Sequence, residues 1–555
     1  MAKRFEGGWA RWGFAPRLLD LREGYTGAQA LRDVGAGITV AMVALPLAMA
    51  FAIASGLPPQ AGLFTAVVGG FLISFLSGSP VQIGGPAGAF IVVVYGIVQE
   101  HGVTGLWAAT FLSGVMLWLM GFLRLGVLIQ FIPVAVILGF TNGIAVLIAF
   151  SQIADFLGLS LSEKPAAWWA LVKALWTARH SWSGEAVLVG VLSLMAMIVW
   201  HQMQGMWRGR WRMLAFVPAS LLALLVSLGV VWSLGLQVQT IGSRFGGIPQ
   251  GLPPLSVPDF QQLSALFKPA FTLAILGAIE SLLCARVADY LLNDRHHANQ
   301  ELMAQGVANM LTPWFSGMPA TGTIARTVTN IKSGGRTPIA GMTHALTILG
   351  VMLLFAPFAQ YIPLPCLAAI LLFVSWNMGE WKAFVALKSY RVPYRLTFLA
   401  VFVLTVVVDL TVAVLVGMVL AMVIVLYRLS QLMEEEVVDV REGVVMVSFR
   451  GALFFGAVQH LAAWEESLPK KRLILDLSGV IYMDSTGAEA LSALWRKSES
   501  KGVDLWLCGL RPQVLSMIER VGLAKYLSYP PFTDSQSALL LDTQIHERVE
   551  KVDGA

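Results

Sequence analysis

Two residues and two short stretches carry the chemistry this sequence could do. Glu280, within FTLAILGAIESLLCARVADYLL, is the one carboxylate in the middle of a spanning-length apolar run, where a carboxyl group can hold and release a proton. IGGPAGAF (Ile83–Phe90) and MPATGTIARTVTN (Met318–Asn330) each open a run too short to span a bilayer, at about 86–98 and 323–332. Non-helical backbone is tolerated at membrane depth only where it is buried in protein or lines a cavity, so both breaks should mark a site. Pro86 suits a first helical position, Thr321 and Thr323 offer cap hydroxyls, and Gly84, Gly85, Gly88 and Gly322 let backbone approach a ligand closely. Two helix N-termini facing each other would aim free N–H groups and partial positive charge at one point, which makes an anion site. Arg326, one turn into the second half-helix, would either complete the anion's charge balance or snorkel or pair with a carboxylate such as Glu280.

The elements that must position these residues are membrane spans. Apolar runs of spanning length fall at 36–54, 60–78, 105–123, 127–151, 184–201, 214–236, 268–290, 298–316, 338–357, 361–378, 394–410 and 411–430. With the two half-spans they make 14 segments, seven before the 237–267 loop and seven after. An even count puts both termini on one side, and the basic residues identify it as cytoplasmic. That side holds Arg124, the Arg208/Arg210/Arg212 cluster, Arg286, Arg295, Lys332, Arg336, Lys382, Lys388, Arg391 and Arg395. The other holds Lys164, Lys173, Arg179, Arg244 and Lys268, so the 152–183 and 237–267 loops face outside. In AMVALPLAMAFA, Pro46 breaks the first span beside Leu47 and Phe51; this is either a simple kink or the wall of a cavity that strips water from an anion. Asp289 and Asp409 read as solvated, and His201 and His344 as packing histidines.

Composition agrees with a polytopic membrane protein: 57% of the 555 residues are hydrophobic, 13% are charged, and the mean hydropathy is +0.71. From Met433 onward 13 Lys and Arg face 18 Asp and Glu, against 25 and 15 before it, so a basic membrane body precedes an acidic soluble domain. In that tail VVMVSFRGALFFGA, KRLILDLSGV and VDLWLCGL read as strands, and AEALSALWRKSESKG and PQVLSMIERVGL as helices, an α/β alternation. Cys284, Cys366 and Cys508 follow no metal or disulfide spacing. Lys3, Arg4, Arg11, Arg17, Arg22 and Arg32 precede the first long apolar run without a cleavable-signal pattern, so the N-terminus should stay cytosolic. The net charge of +5 follows from topology and gives no reason to expect nucleic acid. No nucleophile–base pair, metal cluster or phosphate loop suggests an enzyme.

These motifs resemble the SulP family, the bacterial relatives of the SLC26 anion transporters. The resemblance runs from DVGAGITVAMVALPLAMAFA through TIGSRFGGIPQGLP and GAIESLLCA to ELMAQGVANMLTPWFSGMPATGTIARTVTNIKSGGRTPIAG. The tail RGALFFGA with LILDLSGVIYMDSTGAEAL is similar to a STAS domain. It implies a polytopic α-helical membrane protein with a seven-plus-seven inverted repeat, core and gate domains, an elevator-like motion of the core, and a C-terminal cytoplasmic α/β STAS domain. The domains expected are a cytoplasmic segment 1–35, a transporter domain 36–432 with repeats at about 36–236 and 268–430, and the STAS domain 433–555. The resemblance places the anion on Leu47, Phe51, Pro86, Ala87, Thr323, Ile324, Ala325 and Arg326. Animal members often have a polar residue where Leu47 stands and serine where Ala325 stands, which leaves backbone N–H groups and Arg326 as the main binders.

The family position for coupling matches Glu280. Proton-coupled bacterial members have glutamate there, whereas sodium-dependent bicarbonate carriers tend to have aspartate with a nearby hydroxyl, and here Cys284 stands a turn later. The expectation is therefore a secondary transporter of the inner cell membrane that carries sulfate, bicarbonate or a C4-dicarboxylate with a proton, needs no cofactor, and forms a homodimer in which STAS takes part. GAIESLLCA looks most like the dicarboxylate-carrying branch. An uncoupled anion channel or exchanger, a sodium-coupled bicarbonate symporter and a membrane-tethered STAS scaffold with a cytoplasmic protein partner are the alternatives. The segment Asp484-Ser485-Thr486-Gly487 is similar to the phosphorylated loop of anti-sigma-factor antagonists, so Ser485 and Thr486 are candidate regulatory positions; the same segment also reads as a plain helix cap.

Overall fold

The computed structural model describes residues 15–127, 133–161, 165, 167–204, 217–251, 255–261, 263–408, 410–525 and 531–553. Lys3, Arg4, Arg11, Lys164, the Arg208/Arg210/Arg212 cluster and Asp409 lie outside them. The chain divides into two compact units, Met1–Met418 and Val419–Ala555.

A first set of helices comprises α1 (Gly27–Ala54), α2 (Pro59–Leu76), α3 (Gly88–Phe122), α4 (Val134–Leu157), a short α5 (Trp168–Thr177), α6 (Gly184–Gln204) and α7 (Ala219–Leu234). A second comprises α8 (Leu263–Leu292), α9 (Ala298–Leu311), α10 (Ile324–Lys332), α11 (Pro338–Ala359), α12 (Leu364–Met378), α13 (Val392–Val407) and α14 (Leu410–Ser430). Gly102, at φ 69°, breaks α3 into two segments. With α5 set aside, each set then crosses seven times, and an odd number of crossings makes the second set an inverted copy of the first. Contacts follow that symmetry: α1 packs on α11 as α8 packs on α3, and α4 on α13 as α6 on α12. The core is α1 to α3 with α8 to α11, and the gate is the remaining spans.

Local sequence sets the helix ends. Thr26 and Gln29 cap α1 reciprocally, Gly158 and Gly235 end α4 and α7 in the left-handed conformation, and the Thr337 hydroxyl caps α11, whose first residue is Pro338. Thr65 to Gly69 form a π-turn inside α2. There the Thr65 hydroxyl donates to the Ala61 carbonyl at 2.7 Å and accepts from the Met318 amide at 2.7 Å, which fastens the stretch before α10 to α2.

The second unit holds a four-stranded sheet, β3 (Glu434–Arg441), β4 (Val444–Leu453), β5 (Arg472–Met483) and β6 (Asp504–Cys508), in that order. The strands β1 and β2 belong to the membrane unit and are described below. β3 is antiparallel to β4, and β4, β5 and β6 run parallel, as crossovers through α15 (Gln459–Glu466) and α16 (Ser485–Ser500) require. Leu461, Leu491, Leu494, Val514 and Ile518 from α15, α16 and α17 (Pro512–Arg520) bury one face against Leu473, Leu475 and Leu507. The other face carries Ile474 and Trp506 beneath Ala538 of α18 (Ser535–Asp553). The strands and helices read in the sequence are those of the sheet and of α16 and α17, whereas β3, α15 and α18 were not anticipated.

Candidate functional site

The two short stretches meet. Gly84–Gly85 (β1) and Thr321–Gly322 (β2) pair antiparallel, Gly84 opposite Gly322 and Gly85 opposite Thr321. Beyond this crossing the chain turns into α3 at Gly88 and into α10 at Ile324, so two helix N-termini converge from opposite directions. The Thr323 amide and hydroxyl both donate to the Ile83 carbonyl, at 3.1 and 3.2 Å, and the Ile83 amide donates to the Thr327 hydroxyl at 3.1 Å. Each lead-in is thus tied to the other half of the molecule rather than to its own helix.

Two local expectations change. Pro86 does not begin the helix; Ala87 is the cap and Gly88 the first helical residue, because β1 holds the chain extended through Gly85. The hydroxyls of Thr321 and Thr323 do not cap α10, since Thr321 donates to the Gly277 carbonyl at 3.1 Å and Thr323 to that of Ile83. Among the described residues nothing accepts from the amides of Gly88, Ala89, Ile324, Ala325 or Arg326. Side-chain capping would have occupied some of these donors; its absence leaves them for a ligand.

Leu47, Phe51, Pro86, Ala87, Thr323 and Arg326 are buried, whereas Ile324 and Ala325 are exposed, so the first turn of α10 opens onto accessible space. The Phe51 ring packs on the first turn of α3, 3.4 Å from where a Cβ on Gly88 would lie. Pro46 lies inside an unbroken α1. The Arg326 guanidinium, 1% exposed, donates to the carbonyls of Gly84 at 3.4 Å and Pro86 at 3.1 Å. A Cβ on Gly85 would collide with Arg326 Nη1, and one on Gly322 with Gln82 Nε2. Glycine at these positions is a matter of space, and at Gly85 also of a φ of +152°.

One stripe of α8 faces the crossing at helical spacing: the Gly277 carbonyl takes Thr321, Ser281 takes Gln82 Nε2 at 2.9 Å, and Cys284 Sγ donates to the Thr327 hydroxyl at 3.2 Å. Glu280 flanks this stripe. It is half-buried, and its Oε2 is sealed from solvent without a hydrogen-bond partner. No ion pair joins it to Arg326 among the described residues, although the two charges act on each other electrostatically. The three cysteines are free and buried.

Sequence reasoning missed a second carboxylate. Glu301, 0% exposed in the first turn of α9, accepts from the Ser77 hydroxyl at 2.6 Å, the Gly78 amide at 3.0 Å, the Ser281 hydroxyl at 3.1 Å and Gln305 Nε2 at 2.7 Å. Its position beside the polar 293–297 loop gives it the look of a solvated flank. Ser77 and Gly78, more than 200 positions earlier, and Ser281, 20 earlier, reach it only in the fold, which makes it a buried hub. Asp33 does likewise for α11, accepting from Tyr25, from the Arg336 amide and from the Thr337 hydroxyl. Asp289 pairs with His296 at 2.7 Å instead of standing free in water. His344 is fully buried with neither ring nitrogen hydrogen-bonded.

Comparison with known proteins gives the family and the fold. Residues 31–403 match the sulfate permease family and 437–538 the STAS domain. The protein YvdB of Bacillus subtilis (strain 168) is 38% identical over 526 residues, covering 92% of this chain and 97% of its own length. The bicarbonate transporter BicA of Synechocystis sp. is 30% identical over 541 residues, covering 92% and 93%. The sodium-independent sulfate anion transporter of Bos taurus is 29% identical over 554 residues, covering 93% and 89%. In structure, the inward-facing murine Solute Carrier 26 family member A9 superposes with a TM-score of 0.86 at 18% identity, covering 98% of this chain and 96% of that one, a likeness of fold. The transmembrane domain of a cyanobacterial BicA gives 0.62 at 31% identity, covering 72% and 98%. The chain belongs to the sulfate permease family, the SulP/SLC26 group; it is a multi-pass membrane anion transporter with a STAS domain, and not an enzyme.

Proposed function

We propose that this member of the sulfate permease family is a secondary active transporter that moves a small anion together with a proton. The observation that carries the reading is the pair of half-helix N-termini with uncommitted amides beside a buried arginine. Leu47 and Phe51 would desolvate the anion, the amides of Ala87, Gly88 and Ala89 and those of Ile324 and Ala325 would bind it, and Arg326 would balance its charge. Glu280 would take the proton: a charged carboxylate oxygen without a partner is costly there, and protonation relieves the cost. Rigid ties between α8, β1 and β2 suit a core that moves as one body against the gate, an elevator-like alternating access.

Sulfate and bicarbonate, named for the relatives above, and C4-dicarboxylates are the candidate substrates. A site made largely from backbone amides is tolerant of anion shape. We place the protein in the cell membrane with both termini cytoplasmic, as a homodimer, with the exposed Ser485 and Thr486 at the start of α16 open to modification. Proteoliposomes offered labelled sulfate, bicarbonate or succinate, each with and without an inward proton gradient, test this. Accumulation of at least one above equilibrium, only with the gradient, is expected; equilibration alone would mean an uncoupled channel or exchanger.

A further inference from the structure

The loop between α4 and α6 contains a feature that transport does not use. In α5 the residues Trp168, Leu171, Val172 and Leu175 turn inward, and Trp169, Lys173 and Trp176 form an outward stripe at i, i+4 and i+7. The inner side is fixed: Trp168 meets Phe150 of α4 edge-on with centroids 4.4 Å apart, and α5 also contacts α13. Both ends are fastened where α4 leaves the membrane, because the Ser183 amide donates to the Leu157 carbonyl at 2.9 Å and the Ser160 amide to the Ser181 hydroxyl at 3.0 Å. The helix is therefore held against α4 and α13, with its loop closed at the end of α4.

The outward stripe is unusual for a surface meeting only water. Trp169 is 67% exposed, Trp176 68% and Trp182 60%. Trp232, near the end of α7, is 88% exposed as well. Tryptophan is favoured where one end of the ring is apolar and the other wet, as at the boundary between headgroups and acyl chains. Cations are interleaved with the rings: Lys173 lies between Trp169 and Trp176, and the Arg179 guanidinium stacks 4.5 Å over the Trp176 ring while bonding the Trp176 carbonyl. The nearby carboxylate of Glu185 is occupied by the Gln237 amide.

We propose that the stripe Trp169, Lys173 and Trp176, continued by Arg179 and Trp182, is a binding surface for phospholipid headgroups, on which the rings enter the interface and the two cations hold phosphate. It fixes the depth of the α4–α13 side of the gate in the bilayer.

The test uses the full chain in nanodiscs, with Trp169→Cys and Trp176→Cys each carrying an environment-sensitive fluorophore. The native thiols are buried and leave the introduced one as the reactive site. Ser500→Cys, exposed in the STAS domain, is the water-facing control. The expected result is strong quenching by lipids bearing a nitroxide at the headgroup or upper acyl chain, and protection from aqueous iodide, with the reverse at Ser500→Cys. Labels quenched by iodide and not by lipid would overturn the proposal and assign the surface to water or a soluble protein partner. Lys173→Glu with Arg179→Glu, checked for folding by its thermal melt, should lose the preference for phosphatidylglycerol over phosphatidylcholine among co-purified lipids. An unchanged preference would overturn the role of the cations.

Discussion

Arg326 of the second half-helix donates across the crossing to the carbonyl of Pro86, 240 positions earlier, at 3.1 Å. The formal positive charge of Arg326 is thereby held beside both helix N-termini. A hydrogen bond to a charged group contributes about 1.5–3 kcal/mol, so Arg326→Ala should weaken anion binding roughly ten- to hundredfold. Arg326→Lys, which keeps the charge but not the planar fork, should fall between. Calorimetric titration of the purified variants checks both, and affinity retained in Arg326→Ala would remove the residue from the site.

Gly85→Ala should abolish uptake while leaving a folded protein in the membrane. Its Cβ would occupy the place of Arg326 Nη1 and force the guanidinium off the Gly84 and Pro86 carbonyls. Gly350→Ala, in α11 with open space around the new methyl, is the matched control. There the helix gains about 0.5–1 kcal/mol and uptake should be unchanged.

Glu301→Gln should lower the thermal unfolding temperature of the membrane unit in a fixed lipid or detergent. A glutamine brings its own N–H groups to face four existing donors, so at least one is left unpaired in a buried place, at a cost of about 1–3 kcal/mol. Glu301→Ala should cost more. Melting curves that match the wild type would show that the hub is not needed for stability.

In the STAS domain, Arg472 stacks 3.8 Å over the Trp506 ring and pairs with Asp504 and with the buried Asp542 of α18. Arg472→Ala breaks the ion pair with the buried Asp542, a loss of about 3–5 kcal/mol for such pairs, and should raise amide hydrogen exchange in α18. Acid should act on the same helix. The Ser537 backbone amide bonds the Asp534 carboxylate at 2.7 Å and holds it below the usual aspartate value, so its cap strengthens the fold above that range and is lost as pH falls through and below it. Exchange in α18 should stay level near neutrality and rise only in strong acid.

Much of this architecture was legible because apolar length, glycine–proline breaks and strand composition are local signals. The fourteen segments and the meeting of the IGGPAGAF and MPATGTIARTVTN breaks at one place follow from them. What was hidden depends on partners far along the chain: Glu301 needs Ser77 and Ser281, Asp33 needs Thr337, and the π-turn at Thr65 needs Met318. The turn to Ala87 as cap, and of Thr323 toward Ile83, arises because two extended lead-ins pair before either helix begins. Helix α5 escaped notice because ten residues are too few to announce a membrane element by length.

The central claim is that Glu280 carries the proton that drives the anion. Its most direct test is accumulation of the transported anion in proteoliposomes under an inward proton gradient, comparing wild type with Glu280→Gln at equal reconstitution. The account predicts that the wild type concentrates the anion and that Glu280→Gln still exchanges labelled for unlabelled anion but cannot concentrate it. Undiminished proton-driven accumulation by Glu280→Gln would contradict it.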